Sequence, residues 1–333
     1  MAKVVEKVVE KGGVKSGADL FLADMNKLFS KDSGVMVPDI DSIKVVKFQT
    51  GSLALDIYLD GGIPKGKMFE AFGKNQSGKS SLCLEAAGKF QETYPEEHIL
   101  FLDLEDTFTP EYALNLGLNP HKNFILMKPK TGEDSFETLI KFAKNLKGGL
   151  IILDSVSLLL PEKEDEGEMG AHQMGSQAKL MSQGLRKLFP HAAKNGTTVM
   201  FINQIRDTFD TYKPVATSGG NALAFYTRTR LNLSKVKSEN PLTTGNNIKL
   251  EKSTYGKEGT TVNTARLIKG RFDVMSEIIQ ISCEIGLMER AGSYYKYDGT
   301  TIGQGMAAVR ELLADNPELM KELEMKIRKH FGI

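Results

Sequence analysis

Residues 73–81 read Gly73-Lys74-Asn75-Gln76-Ser77-Gly78-Lys79-Ser80-Ser81, a full match to the phosphate-binding loop pattern G-x-x-x-x-G-K-[ST]. The residue types have a chemical purpose in that order. Glycines allow a tight turn, so that successive N–H groups and the positive end of the following helix converge on a polyphosphate. Lys79 adds a point charge at the β/γ-phosphates, and the Ser80 hydroxyl is a ligand for Mg²⁺. Such a loop works only between a strand and a helix. Met68-Phe69-Glu70-Ala71-Phe72 predicts the strand, and Leu82-Cys83-Leu84-Glu85-Ala86-Ala87 predicts the helix. The expectation is a nucleoside triphosphate site.

Three further apolar segments end in polar groups. Leu150-Ile151-Ile152-Leu153 runs into Asp154, a carboxylate placed to complete a Mg²⁺ environment, usually through a water. The segment 99–104 runs into Glu105-Asp106 and contains Asp103. A carboxylate there orients or deprotonates a water for attack on a γ-phosphate, and spacing alone does not choose among Asp103, Glu105 and Asp106. The segment 199–203 ends in Asn203-Gln204. Gln204 is either an amide that senses the γ-phosphate or an ordinary solvated glutamine.

These residues need a scaffold. From residue 48 to about 269, short apolar runs alternate with helical stretches, which predicts a mostly parallel, twisted sheet in an α/β fold. Candidate strands are 69–72, 99–104, 150–153 and 199–202, each apolar enough for a strand covered on both faces. Residues 235–257 are polar and read as a hairpin or an irregular connection. Before this core, Ser16 is placed to cap a helix through about residue 29, with Phe21, Met25, Leu28 and Phe29 at helical spacing, and 34–46 carries strand-like pieces. That apolar face must pack on its own core or on a neighbouring subunit. After residue 272 the pattern changes to a helix, short strands near 293–297 and two more helices. Asn316-Pro317 marks a helix start, with Leu319, Met320, Leu323 and Ile327 following at helical spacing, and the chain ends in a basic Lys-Ile-Arg-Lys-His run. The expected organisation is a small helix–strand segment (1–46), an ATPase core (47–272) and a small α+β C-terminal domain (273–333).

Composition is that of an ordinary globular protein, 41% apolar and 26% charged over 333 residues. With 43 basic against 42 acidic residues, any affinity for a polyanion must come from local charge. Cys83 and Cys283 form neither a disulfide framework nor a zinc site. The first 15 residues lack a secretory apolar run, and 150–160 is too short to span a bilayer. The reading is a cytoplasmic protein with no membrane partner.

Taken in order, the motifs resemble the RecA family of bacterial DNA recombinases. The resemblance is carried by Thr50-Gly-Ser-Leu-Ala-Leu-Asp56, Gly61-Gly-Ile-Pro-Lys-Gly66, Pro110-Glu-Tyr-Ala-Leu-Asn-Leu-Gly117 and Gly167-Glu-Met-Gly170. Met181-Ser-Gln-Gly-Leu-Arg-Lys-Leu188, Phe201-Ile-Asn-Gln-Ile-Arg206, Gly219-Gly-Asn-Ala-Leu223, Ile302-Gly-Gln-Gly305 and Asp315-Asn-Pro-Glu318 extend it, so that it covers about 18–331. The resemblance implies a RecA-like phosphate-loop ATPase core that uses ATP and Mg²⁺, polymerises as a helical filament on single-stranded DNA, and pairs that strand with homologous double-stranded DNA. It implies Glu105 as the catalytic glutamate, Gln204 as the γ-phosphate sensor, Tyr112 as the aromatic that stacks on adenine, and Phe225 at a subunit interface. The segment before residue 47 is then the part that docks on the next protomer, and the C-terminal domain interacts with DNA.

It also implies two DNA-binding loops, 161–175 and about 206–218. The first carries Glu162, Glu164, Asp165, Glu166 and Glu168, a poor phosphate binder on charge alone, with Met174 as a wedge between bases. In the helix that follows, Lys179, Gln183 and Arg186 make one polar stripe, while Ala178, Met181, Leu185 and Leu188 make the buried one. The second loop interleaves Arg206, Phe209, Tyr212 and Lys213, cations with aromatics, and Gly219-Gly220-Asn221 lets the backbone approach a phosphate. The chain departs from the family in places. Loop two is slightly short, Lys252 matches the first of two lysines that reach ATP across the interface, and the second falls on Thr254, with Lys257 or the Lys269–Arg271 run as substitutes. The acidic C-terminal tail found in many members is missing. Two rivals share the core: a ring-forming helicase motor, and a DNA-binding regulator that uses ATP only as a ligand.

Overall fold

The apolar runs become interior strands of one large sheet. The computed structural model describes residues 17–28, 45–167, 175–207, 215–237, 243–267 and 270–333. Helix α1 (Gly17–Leu28) belongs to an N-terminal unit of its own, with Leu20 and Phe21 exposed. Ser16, Phe29 and the strand-like pieces expected at 34–44 lie outside the described residues. The main unit opens with β1 (Lys47–Phe48), α2 (Leu53–Tyr58) and β2 (Ile63–Pro64), the two strands forming a short antiparallel pair. Then follow β3 (Met68–Gly73), α3 (Lys79–Thr93), β4 (Ile99–Asp103), α4 (Pro110–Asn115), β5 (Phe124–Met127), α5 (Gly132–Asn145) and β6 (Leu150–Asp154). A short α6 (Glu162–Asp165) precedes α7 (Ser176–Asn195), β7 (Thr198–Asp207), β8 (Val215–Thr217) and α8 (Ala222–Tyr226).

The sheet order places β3 between β7 and β9 (Thr229–Val236), with β6, β4 and β5 continuing on the β7 side, all parallel. Period-two alternation divides each strand between two cores. Ile99 and Phe101 of β4 face α3, while Leu100 and Leu102 face α5 and α7; Leu150 and Ile152 of β6 divide from Ile151 and Leu153 in the same way. Covering both faces explains why these strands read as unbroken apolar runs.

The segment expected as a hairpin or irregular connection is more regular than that. Strands β9, β10 (Thr243–Ser253) and β11 (Thr261–Leu267) form an antiparallel extension of the sheet, with Ile248 opposite both Leu233 and Val262. Its polar sequence misled because alternate residues face solvent, while Ile248, Leu250 and Val262 are buried.

The C-terminal part contains α9 (Val274–Glu284), the antiparallel strands β12 (Met288–Ala291), β13 (Tyr294–Tyr297) and β14 (Thr300–Gln304), then α10 (Gly305–Asp315) and α11 (Pro317–Phe331). Its core, with Ile278, Val309, Leu313, Leu323 and Ile327, takes in Leu53 of α2. Polar ties reinforce that junction. Glu277 accepts bonds from Ser52 Oγ (2.8 Å) and the Ala54 N–H (3.2 Å), and Arg328 reaches Asp56 at 3.1 Å. Asn316 does precede α11, but its side chain makes no cap bond there; its amide donates to Leu312 O of the preceding helix instead. The basic end is largely spent on partners, Lys326 on Glu322 and Tyr297, Arg328 on Asp56 and Glu324.

Candidate nucleotide site and nucleic-acid surface

Strand β3 is buried along its whole length and delivers the chain into the phosphate loop at the edge of the sheet. The loop closes at Gly78, the N-cap of α3, in a left-handed conformation (φ 86°). A Cβ there would meet the loop's back wall at ordinary contact distance, 3.4 Å from Asn246 Nδ2 and 3.5 Å from Arg266 Nε. Asn246 of β10 donates to Ser77 O at 2.8 Å and fixes the loop from behind. Lys79 Nζ donates to Lys74 O at 2.8 Å. Burial lowers its pKa, while Asp154 and Glu105 oppose that shift. The ammonium therefore lies over the loop, between the N–H groups and the carboxylates.

Asp103 and Asp154 end adjacent strands in register. Asp154 Oδ2 accepts from Ser80 Oγ at 2.6 Å, and its Oδ1 is buried with no hydrogen-bond partner among the described residues. Burial pushes this carboxyl up to about 6; the Ser80 bond lowers it and Glu105 raises it further. A hydroxyl and a carboxylate with an unspent buried oxygen suit a hard divalent cation such as Mg²⁺. No group of three or more His, Cys, Asp or Glu side chains forms a metal cage among the described residues.

The three carboxylates left open by spacing have different surroundings. Asp103 accepts the N–H groups of Thr107 (3.2 Å) and Phe108 (3.1 Å) and shapes the turn. Asp106, at a left-handed φ of 56°, is exposed and pairs with Lys128. Glu105 alone turns to the Asp154 side: its Oε1 accepts from Ser155 Oγ at 2.7 Å and from Gln204 Nε2 at 2.8 Å. A cleft of about 430 Å³ contains Glu105, Asp154, Gln204, Tyr112 and loop residues 75–81. Tyr112 is set by the Thr109 cap of α4, which accepts its N–H at 3.3 Å, and the Tyr112 and Ser81 hydroxyls lie 2.6 Å apart. Phe101, Thr107 and Phe108 also line the cleft. Sequence reading missed them because apolar residues around a turn give no chemical signal.

Beyond Gln204 the site connects to the candidate DNA surface. Asn203 is buried and donates to Glu70 Oε1 (2.9 Å) and Ser218 O (3.0 Å), and Arg230 Nε reaches Glu70 Oε2 at 2.5 Å. Ser218 leads into Gly219 (φ 85°) and Gly220 (φ 75°), a turn resting on α7: a Cβ on Gly220 would stand 2.9 Å from Ala178 Cβ. Lys179, Gln183 and Arg186 are exposed on α7 as the stripe requires; Met181, Leu185 and Leu188 are buried, and Ala178 is half-buried. Gln177 bonds the carbonyls of Val156, Ser157 and Leu159, tying this helix to the segment after β6. Arg206 and Asn221 are exposed. The described part of loop one keeps its acidic character, with Glu162, Asp165 and Glu166 exposed. Met174, Glu168, Phe209, Tyr212, Lys213 and Lys269 lie outside the described residues.

Among the interface candidates, Phe225 on α8 is 77% exposed. Lys252 donates to Ala224 O beside it (2.8 Å), with its pKa lowered by burial and by Arg228 and Arg230. Lys257 lies apart from them, 5.8 Å from the Tyr58 ring centroid. Thr254 gives its N–H to Arg228 O, and Arg271 donates to Asn115 O at 2.5 Å.

Comparison with known proteins agrees along the chain. Residues 18–261 match the family model described as RecA N-terminal domain, and 276–332 match RecA C-terminal domain. A protein named Protein RecA from Frankia alni is 35% identical over 322 residues, 95% of this chain and 92% of that protein. Proteins of the same name from Cytophaga hutchinsonii (35% over 318 residues; 93% and 89%) and Caulobacter vibrioides (34% over 335 residues; 98% and 92%) are similar to a like degree. No helix among the described residues is long and apolar enough to cross a membrane.

Proposed function

The chain belongs to the RecA family, and from that premise we propose how its own residues run an ATP-dependent strand-exchange cycle. As a member it is a DNA-dependent ATPase of homologous recombination and DNA repair. Loop residues 73–81 bind the phosphates through backbone N–H groups and Lys79, and the adenine ring stacks on Tyr112. Mg²⁺, held by Ser80 and by Asp154 directly or through water, would neutralise phosphate charge when bound. Glu105 orients and deprotonates the attacking water.

Subunits assemble in the cytoplasm as a helical filament on single-stranded DNA, with Phe225 at the interface and Lys252 or Lys257 facing the neighbour's nucleotide. Lys179, Arg186, Arg206 and the Gly219–Gly220–Asn221 turn contact the phosphate backbone without reading sequence, so recognition of the homologous duplex is left to base pairing. Met174, Phe209, Tyr212 and Lys213 complete this reading as the wedging, stacking and cationic members of the two loops.

The observation that carries the coupling is the 2.8 Å bond between Gln204 and Glu105, one residue from the Asn203–Ser218 bond. A γ-phosphate that draws the Gln204 amide releases the catalytic carboxylate and perturbs the strand that opens loop two.

ATP hydrolysis measured with and without single-stranded DNA, beside electron microscopy with a non-hydrolysable analogue, tests the proposal. DNA-stimulated turnover and helical polymers are expected. Closed rings with directional unwinding would favour the helicase reading. A turnover rate indifferent to DNA would leave ATP as a ligand only.

A further inference from the structure

Behind the phosphate loop lies a buried ion pair that the catalytic scheme does not use. Arg266 of β11 is 4% exposed, and Glu85 of α3 is 5% exposed. Nη1 of Arg266 donates to Glu85 Oε2 at 3.0 Å and also to Gly270 O, while its guanidinium lies 3.6 Å from the Phe272 ring centroid. Glu85 also accepts the Phe272 N–H at 3.2 Å, and Arg266 and Phe272 pair across an antiparallel bridge. The bonds of Arg266 Nη1 and Glu85 therefore tie Gly270 and Phe272 to the helix that starts at Lys79.

The pair is joined to both walls of the nucleotide cleft. On the phosphate side, Arg266 Nε would stand 3.5 Å from a Cβ at Gly78. On the base side, Gly270 (φ 95°) abuts Tyr112, whose hydroxyl would be 2.9 Å from a Cβ at Gly270. The same hydroxyl meets Ser81 Oγ. Burial works against both charges, raising the Glu85 pKa and lowering that of Arg266. Arg266 Nη2 is buried with no partner among the described residues. A charged pair that burial disfavours is weak evidence for stability. Its geometric effect is direct, because one nitrogen of the planar guanidinium, Nη1, joins Glu85 of α3 to the Gly270 carbonyl.

We propose that Arg266 and Glu85 are positioning residues for the nucleotide: together they fix the spacing between the phosphate loop and Gly270, which abuts the hydroxyl end of Tyr112. The proposal rests on the ATP-site reading above. It assigns the pair to recognition of the nucleoside end, since the Asn246–Ser77 bond fixes the phosphate loop independently. Neither residue is among those that line the cleft. Loosening the pair therefore separates affinity for a nucleotide from affinity for its phosphate chain.

The test compares dissociation constants for ATP and for inorganic tripolyphosphate, each with Mg²⁺, in the wild type, Arg266→Met and Glu85→Gln. Glu85→Gln removes the charge and keeps one acceptor oxygen, at the cost of turning the other into an amide donor. The expected result is an ATP dissociation constant raised about tenfold in Arg266→Met and about threefold in Glu85→Gln, a loss typical of a charge-assisted bond, with tripolyphosphate changed less than about twofold. Circular dichroism and urea melts establish that each variant is folded; if Arg266→Met fails to fold, Glu85→Gln decides. Equal losses for both ligands would assign the pair to general structure and overturn the proposal, as would an unchanged ATP affinity. A wild type that binds neither ligand would instead refute the ATP-site reading itself.

Discussion

Glu277→Gln should stabilise the protein in alkali and not in acid. The Glu277 carboxyl is 6% exposed at the junction of α9 with α2, held by the Ser52 hydroxyl and the Ala54 N–H. Burial pushes its pKa from 4.5 up to about 7; those bonds lower it and the nearby Asp56 carboxyl raises it. Asp56 itself is paired with Arg328, so that cation is already committed. The folded state holds the proton more tightly than the unfolded chain does. The associated stability is therefore fully present below pH 4.5 and is lost as pH rises through about 7. At about 1.4 kcal/mol per pH unit, the loss amounts to roughly 3 kcal/mol. Glutamine avoids the charge but turns an amide nitrogen toward a donor, at a cost of about 1 kcal/mol. Urea melts at pH 5 and pH 8.5 measure both effects, and the difference between the two proteins cancels the other titrating groups. The variant should be nearly as stable as wild type at pH 5, where part of the linked stability is already lost and offsets the amide cost, and roughly 2 kcal/mol more stable at pH 8.5. A variant less stable than wild type at pH 8.5 would mean that the ionised carboxylate supports the fold, and the reasoning would fail.

Three substitutions address the proposed cycle. Lys79→Ala removes the buried ammonium and should weaken ATP binding about 10- to 100-fold by equilibrium titration; unchanged affinity would remove the lysine from the site. Glu105→Gln preserves the hydrogen-bonding shape but not the base, so steady-state turnover should fall by about 10²–10⁴ while ATP and DNA still bind. Normal turnover would reject its role. Arg206→Ala should weaken single-strand binding and lessen its salt dependence by roughly one counterion, with ATP affinity unchanged in the absence of DNA; a changed ATP affinity would reassign the residue to the nucleotide site.

Much of this was legible before folding because the relevant signals are local. The phosphate loop needs its glycines and lysine within nine consecutive residues, and the strands around it are buried on both faces, so their sequences are unbroken apolar runs. Residues that act through contacts distant in sequence gave no such signal. Glu85 and Arg266 are 181 positions apart, and Asn203 and Glu70 are 133 apart. Glu70 was read only as part of an apolar strand, and nothing local pointed to its partners Asn203 and Arg230. The antiparallel β9–β10 pair is the hairpin alternative of the sequence reading, which could not decide for it because glycine and asparagine at 245–247 blur the alternation, and the third strand, β11, was not anticipated. Spacing left Asp103, Glu105 and Asp106 open because only the turn geometry, with a left-handed Asp106, directs one of three neighbouring carboxylates into the nucleotide cleft.

The polar groups around Gln204 divide into fixed and exchangeable ones, and that division sets the direction in which a signal can travel. Asn203 uses its amide nitrogen on Glu70 and Ser218 and its Oδ1 on the Gln204 N–H, while Arg230 holds Glu70 from the adjacent strand β9. Every member of that cluster is anchored by at least two elements, so the backbone at the end of β7 is the stiff component. The Gln204 side chain is different: its one described bond is to Glu105, whose carboxylate also accepts from Ser155. A phosphate competing for the Gln204 amide displaces a single bond worth about 1–3 kcal/mol, against several for the anchor. On the proposed cycle the amide moves first and the strand resists, and strain reaches loop two through the Ser218 carbonyl rather than by sliding of the sheet. Asn203→Ala cuts that connection without touching either ligand. It should leave basal ATP turnover within a few-fold of wild type while abolishing its stimulation by single-stranded DNA. Intact stimulation would place the coupling outside this cluster.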